Sequence, residues 1–154
     1  MNDNDSRRPN RGAYKRWFDL SVLVLAHVLL LPLWLALWTV IPMLIWLGDR
    51  GPVFYRQQRM GKDGNSFPVL KFRTMIVDAE NQGPSYTIVG DPRVTRVGRV
   101  LRRTALDELP EIISIWRGHM SFVGPRALEV DEHQSLEKLI PGFEKRLQVR
   151  PGLT

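Results

Sequence analysis

The chain has 154 residues, enough for one domain with a core of ordinary size, and carries a formal net charge of +6. That charge favours acidic partners (phosphates, nucleic acid or anionic lipid) without choosing among them. Cysteine is absent, which excludes disulfides and thiolate chemistry and fits a reducing compartment, and His27, His119 and His133 show no metal-ligand spacing.

Residues 1–16 are polar and basic, with Arg7, Arg8, Arg11, Lys15 and Arg16 against Asp3 and Asp5. The stretch reads as a disordered tail or, because an apolar segment follows, as a juxtamembrane anchor for anionic head groups. Residues 17–48 read as a membrane-embedded helix: no charge falls between Asp19 and Asp49, and Trp17, Trp34, Trp38 and Trp46 run along it. A straight helix over Leu20–Leu47 would measure about 42 Å, against a hydrocarbon thickness of about 30 Å. Pro32 and Pro42 argue against a straight helix, since each removes a backbone donor and crowds the preceding turn. Basic residues flank the segment on both sides, with Arg50, Arg56, Arg59 and Lys62 after it, so both ends favour the cytoplasm. A helix broken near Pro32 that enters and leaves by one face satisfies both flanks. The competing arrangement is a tilted single span.

The turn cluster Gly48–Pro52 ends the apolar segment. Val53–Gln57 and Phe67–Met75 read as strands joined by the Gly61–Asn65 turn, a β-hairpin with Arg56, Arg59, Lys71 and Arg73 on or beside it. These cations are either solvated face charges or a basic surface toward lipid phosphate. Turn formers over residues 76–93 predict a mobile loop, and Thr95–Arg103 predicts a short basic amphipathic helix.

Two adjacent carboxylates, Asp107 and Glu108, follow Arg102 and Arg103. The TALD sequence and Pro110 place the pair at a helix start, with Thr104, Ala105 or Asp107 as the cap. The helix dipole and the two arginines would favour the ionised carboxylates. An ionised aspartate can attack phosphorus and a neighbouring glutamate can hold a divalent cation, although Asp-Glu pairs at helix starts are more often only caps. The helix runs on to Gly118, Gly124-Pro125-Arg126 reads as a rigid turn presenting a guanidinium, and Leu128–Leu139 reads as a charged, exposed helix.

The ordered series GPVFYRQQRMG, KFRTM, RRTALDELPE, MSFVGPR and VRPGLT resembles the bacterial sugar transferase family, the small monotopic phosphoglycosyl transferases, over roughly residues 12–154. The resemblance implies an α+β fold: an N-terminal re-entrant, proline-broken membrane helix and a small cytosolic domain, 49–154, of short helices with a β-hairpin. It implies transfer of a sugar-1-phosphate from a UDP-sugar to polyprenyl (undecaprenyl) phosphate with release of UMP, an early membrane step in exopolysaccharide, O-antigen or other glycoconjugate synthesis. The implied place is the bacterial inner membrane, with the catalytic domain facing the cytoplasm. Asp107 would form a covalent phosphosugar intermediate, Glu108 would be its partner, both near Mg²⁺, and Arg102 and Arg126 would hold phosphate. Pro32 matches the proline that breaks the family's membrane helix.

This chain has Leu31, Ala105, Glu111, His119 and Ala127 where the family usually has Ser, Ser, Gln, Asp and Pro. The family pattern continues for several tens of residues past PGLT, so the catalytic domain is expected to be truncated at its C-terminus. A second reading is therefore a truncated, inactive membrane-anchored relic or regulatory partner. A membrane-tethered nucleic-acid binder would rest on charge alone, without a recognition motif or stacking platform, and nucleic acid is not expected as a partner.

Overall fold

A computed structural model describes residues 11–83, 87, 88 and 90–153. Two helices, α1 (Arg11–Leu29) and α2 (Leu31–Asp49), lead into a hairpin of β1 (Phe54–Met60) and β2 (Ser66–Phe72). Helices α3 (Arg96–Arg103) and α4 (Ile112–Arg117), strand β3 (Ser121–Arg126) and helix α5 (Val130–Leu139) follow. The fold is α+β, as expected.

Helix α1 begins at Arg11, inside the stretch read as a basic tail, whose first ten residues lie outside the described residues. Lys15 and Arg16 donate to the backbone carbonyls of Val123, Ile115 and Trp116, so the last of these basic residues dock on β3 and the end of α4. Lysine and arginine suit this place because carbonyls at a helix C-terminus lack intrahelical donors. Leu30 (φ −108°, ψ 22°) separates α1 from α2, and Pro32 sits in the first turn of α2, where its missing N–H costs no hydrogen bond. His27 and Trp34 stack across this junction with ring centroids 4.6 Å apart, and the Trp34 indole donates to the Ala26 carbonyl at 3.2 Å.

Both helices bury one edge against the domain and expose the rest. Leu23 of α1 packs with Phe67, Val69, Ile112, Ile115 and Met120. Ile41 and Ile45 of α2 pack with Phe72 and Leu101. The opposite faces carry exposed Trp17, Phe18, Leu25, Val28, Leu33, Leu35, Met43, Trp46 and Leu47. A water-soluble domain rarely leaves so large a contiguous apolar surface open. Leu31–Asp49 is long and apolar enough to cross a membrane, with mean hydropathy 1.8.

The hairpin pairs Phe54 with Phe72, Tyr55 with Lys71, Gln57 with Val69 and Arg59 with Phe67, in antiparallel register. Side chains alternate across a strand. Phe54 and Phe72 therefore share the face that meets Trp38, with the two phenyl rings 5.5 Å apart and Trp38 5.6 Å from Phe72. Tyr55, Gln57, Arg59 and Lys71 share the other face. Relative to the expected boundaries, β1 runs on to Met60 and β2 stops at Phe72.

Beyond β2 the chain crosses to α3, whose N-cap Thr95 accepts the Gly98 N–H at 2.9 Å. A Cβ at Gly98 would lie 2.0 Å from the Thr74 carbonyl oxygen, so glycine permits this close approach of helix to strand end. The loop over residues 76–93 is held more firmly than its composition suggests, although residues 84–86 and 89 lie outside the described residues. Buried Arg93 bonds Asp91 at 2.7 Å and the Ala79 carbonyl at 3.0 Å, and a 3-10 turn covers Ala79–Gln82. Gly124-Pro125-Arg126, expected as a turn, is instead the end of extended β3. Gly152 bridges to Ser121 and Arg126, and a Cβ there would stand 2.1 Å from the Gly124 nitrogen. Extended backbone on both sides, pressed together without side chains between, replaces the turn. In α5, expected to be exposed throughout, His133 is buried against Phe143, ring centroids 5.2 Å apart.

Gly98→Ala is expected to destabilise the protein by roughly 1–3 kcal/mol, because the added methyl must displace the Thr74 backbone just beyond β2. Thr95→Ala should cost about 1 kcal/mol through the lost cap. Denaturant unfolding of both variants in uncharged micelles checks the order.

Candidate active site

The segment that carries the paired acids is not an α-helix start. Ala105 adopts a left-handed conformation (φ 55°, ψ 16°), and a 3-10 helix follows over Leu106–Glu111 before α4 begins at Ile112. Of the three expected caps, Ala105 takes the position without a side-chain bond. Thr104 turns back and donates to the carbonyls of Val100 and Leu101, closing α3 instead. A left-handed alanine is strained by roughly 1–2 kcal/mol. That strain sits at the edge of a cleft of about 610 Å³, which Ala105, Asp107 and Glu108 line.

Lys71 stands at the centre of the charge network. Its ammonium donates to Glu108 at 2.7 Å and lies 3.1 Å from Glu111. Arg126 approaches Glu108 from the other side at 3.5 Å. Burial works against ionising Glu108, but the hydrogen bond and charge of Lys71, with Arg126 and Arg59, outweigh it and hold its pKa below the usual glutamate value. Asp107 stays outside this ion-pair network. Burial raises its pKa, and the neighbouring Glu108 charge adds to the rise, while Lys71 and Arg102 oppose it. Burial likewise raises Glu111 despite Lys71. The two adjacent acids are thus electrostatically unequal: Glu108 is held as an anion, whereas Asp107 resists charging. This departs from the expectation that a helix dipole and two arginines favour both.

Arg102 lines the cleft, donating to the hydroxyls of Thr74 at 2.8 Å and Thr87 at 3.0 Å, whereas Arg103 is exposed and does not line it. Arg126 also lines it and is largely exposed, its guanidinium open to an incoming anion. Asp107, Glu108, Arg102 and Arg126 therefore meet in one cleft. Pro32 lies apart from them, at the α1–α2 junction.

Several lining residues were not singled out as site residues in the sequence. Lys71, Arg59 and Tyr55 come from the polar face of the hairpin, and Glu80 and Asn81 from the loop after β2. The alternation in FPVLKF was the available signal: Phe67 and Val69 point at the core, so Lys71 must emerge on their side, beside α4. Burial and the hydrogen bond to Glu80 push the Tyr55 hydroxyl up to about 12.

Among the described residues no group of three or more His, Asp or Glu side chains is arranged to hold a metal. Two adjacent carboxylates facing a phosphate-sized cationic cleft still fit Mg²⁺, which is commonly bound through one or two carboxylates with the remaining positions taken by water and substrate phosphate.

Residues 10–154 match the family described as bacterial sugar transferase. The chain belongs to that family. Among its relatives, the exopolysaccharide production protein PSS of Rhizobium leguminosarum bv. phaseoli is 39% identical over 144 residues, covering 91% of this chain and 70% of that one. The UDP-glucose:undecaprenyl-phosphate glucose-1-phosphate transferase of Escherichia coli (strain K12) is 42% identical over 140 residues, covering 91% of this chain. This chain spans 29% of that longer protein's length. A putative undecaprenyl-phosphate N-acetylgalactosaminyl 1-phosphate transferase of Bacillus subtilis (strain 168) is 38% identical over 135 residues, covering 88% of this chain and 73% of that one. These bacterial sugar transferases are named for phosphosugar transfer to undecaprenyl phosphate or for exopolysaccharide production.

Lys71→Met leaves two half-buried carboxylates without their shared cation and should destabilise the protein by about 1–3 kcal/mol at pH 7. Because Lys71 lowers the folded-state pKa of Glu108, its contribution exists above the unfolded value of about 4.3 and is lost as pH falls through the lower folded value. The gap between variant and parent should therefore narrow on acidification, as read by denaturant unfolding at pH 7 and pH 4.

Proposed function

We propose that this bacterial sugar transferase moves a sugar-1-phosphate from a UDP-sugar to undecaprenyl phosphate at the cytoplasmic face of the inner membrane, releasing UMP. The observation that carries this reading is the confluence of Asp107, Glu108, Lys71, Arg102 and Arg126 in one cleft, on a domain backed by two exposed apolar helices. A cationic cleft accommodates a pyrophosphate, and an apolar platform keeps the acceptor lipid at hand.

In this reading Asp107 attacks the phosphorus that bears the sugar. A bond forms from its carboxylate oxygen, the bond from that phosphorus to the bridging oxygen breaks, and UMP leaves with the electron pair. The phosphate oxygen of undecaprenyl phosphate then attacks the same phosphorus and frees the aspartate. Burial suits Asp107 to this role, since a poorly solvated carboxylate is a stronger nucleophile than a hydrated one. Arg102 and Arg126 bind phosphate oxygens and orient the pyrophosphate. Lys71 keeps Glu108 anionic and in place. Asp107 and Glu108 would hold Mg²⁺, which when bound neutralises charge building on the phosphate oxygens.

The α1–α2 pair supports a re-entrant placement. Arg16 near the start of α1 and Asp49 at the end of α2 both bond to the same domain, Arg16 to α4 and Asp49 to Arg73 beyond β2. In this reading both helix ends return to one face of the membrane, and the chain reverses at the Leu30 junction beside Pro32.

Incubation with Mg²⁺, undecaprenyl phosphate and a panel of UDP-sugars should release UMP. Asp107→Asn should lower that release by at least about a thousandfold and abolish covalent labelling by the sugar phosphate. Chelation should stop release and added Mg²⁺ restore it. A folded, membrane-inserted protein that yields no UMP with any common UDP-sugar would overturn the proposal in favour of an inactive anchored protein.

A further inference from the structure

A second cavity, of about 280 Å³, lies where α2 meets α3. Leu44, Ile45 and Gly48 of α2 and Val97 of α3 form its apolar part, and Arg73, Thr95 and Arg96 form its polar part. Of its lining it shares only Arg73 with the catalytic cleft.

Its charge is one-sided. Arg73 is 8% exposed; among the described residues its Nε and Nη1 have no hydrogen-bond partner, Nη1 lying against Gly51, and Nη2 bonds Asp49. Asp49 is the only acid in the lining, and that bond already engages it. Thr95 caps α3 by accepting the Gly98 N–H, while the first-turn N–H groups of Arg96 and Val97 have no intrahelical acceptor. No acid occurs in the first turn of α3, and Arg96, Arg99 and Arg103 make no ion pair among the described residues.

An anion is therefore favoured at one end of the cavity and an apolar chain at the other. The apolar end continues onto the exposed side of α2 at Met43, Leu44 and Leu47. We infer that this cavity binds the phosphodiester headgroup of an anionic glycerophospholipid, with the acyl chains lying along α2. The inference rests on membrane association and not on catalysis.

The full chain, purified in an uncharged detergent, is titrated with dihexanoyl phosphatidylglycerol below its micellar concentration, without any sugar donor, and binding is read by calorimetry. Phosphatidylglycerol should bind more tightly than dihexanoyl phosphatidylcholine, and saturating UDP should not displace it. Arg96→Ala should weaken binding about fivefold, the worth of one arginine toward an anionic lipid. Leu44→Trp should abolish binding by filling the apolar end. Arg99→Ala, outside the cavity, should change little. Equal affinity for the two lipids, displacement by UDP, or an Arg99→Ala loss equal to that of Arg96→Ala would overturn the site. Glycerol 3-phosphate binding as tightly as phosphatidylglycerol would overturn the lipid assignment, leaving a free-phosphate site.

Discussion

The ammonium of Lys71, shared between Glu108 and Glu111, ties the hairpin to the 3-10 segment; it holds Glu108 below the usual glutamate value, while at Glu111 burial outweighs it. Without it, packing the Leu106–Glu111 turn against β2 would bring partly buried Glu108 and buried Glu111 together with no cation shared between them. Removing one partner of such a group costs more than the pair itself contributes, because the remaining charge is left poorly solvated. The strained Ala105 and the short 3-10 helix are tolerable because this cross-element contact, with Ile112 and Ile115 in the core, holds the segment from both sides.

The same contact separates the two adjacent acids. Burial is the largest influence on both, but at Glu108 the hydrogen bond and charge of Lys71, with Arg126 and Arg59, outweigh it, whereas at Asp107 the cations do not. Two groups of nearly equal intrinsic acidity thereby acquire different properties, which a nucleophile and its charge-holding neighbour require. The neighbouring arginines divide similarly. Arg102 is held by two threonine hydroxyls, whereas Arg126 is largely exposed and reaches Glu108 at 3.5 Å.

Helices α1 and α2 contribute through what they fail to bury. Leu23, Ile41 and Ile45 fill the domain core, and most of the remaining apolar side chains of the pair stay exposed. The domain core is therefore completed by side chains of that pair, whose outer faces remain apolar and exposed. Arg73, just beyond β2, lines both the cleft and the cavity beside α2.

Much of this was legible in the sequence because it rests on local pattern. The uncharged run from Leu20 to Leu47, the hairpin around Gly61–Asn65, the short basic helix after Thr95 and the Gly118 stop follow from hydrophobicity and turn residues within a few positions of one another. The Asp107–Glu108 pair was visible as two adjacent letters. Its partners were not: Lys71 lies 37 positions from Glu108, and only the register of β1 against β2 turns it toward that acid. Gly124-Pro125-Arg126 read as a turn from its composition, yet the returning Gly152 held it extended. Charge state, strand against turn, and which arginine faces the cleft are set by contacts between distant segments. Sequence determined the elements and the adjacent acids; tertiary packing decided which of the two is ion-paired and which is not, because burial and ion pairing depend on neighbours that no local pattern encodes.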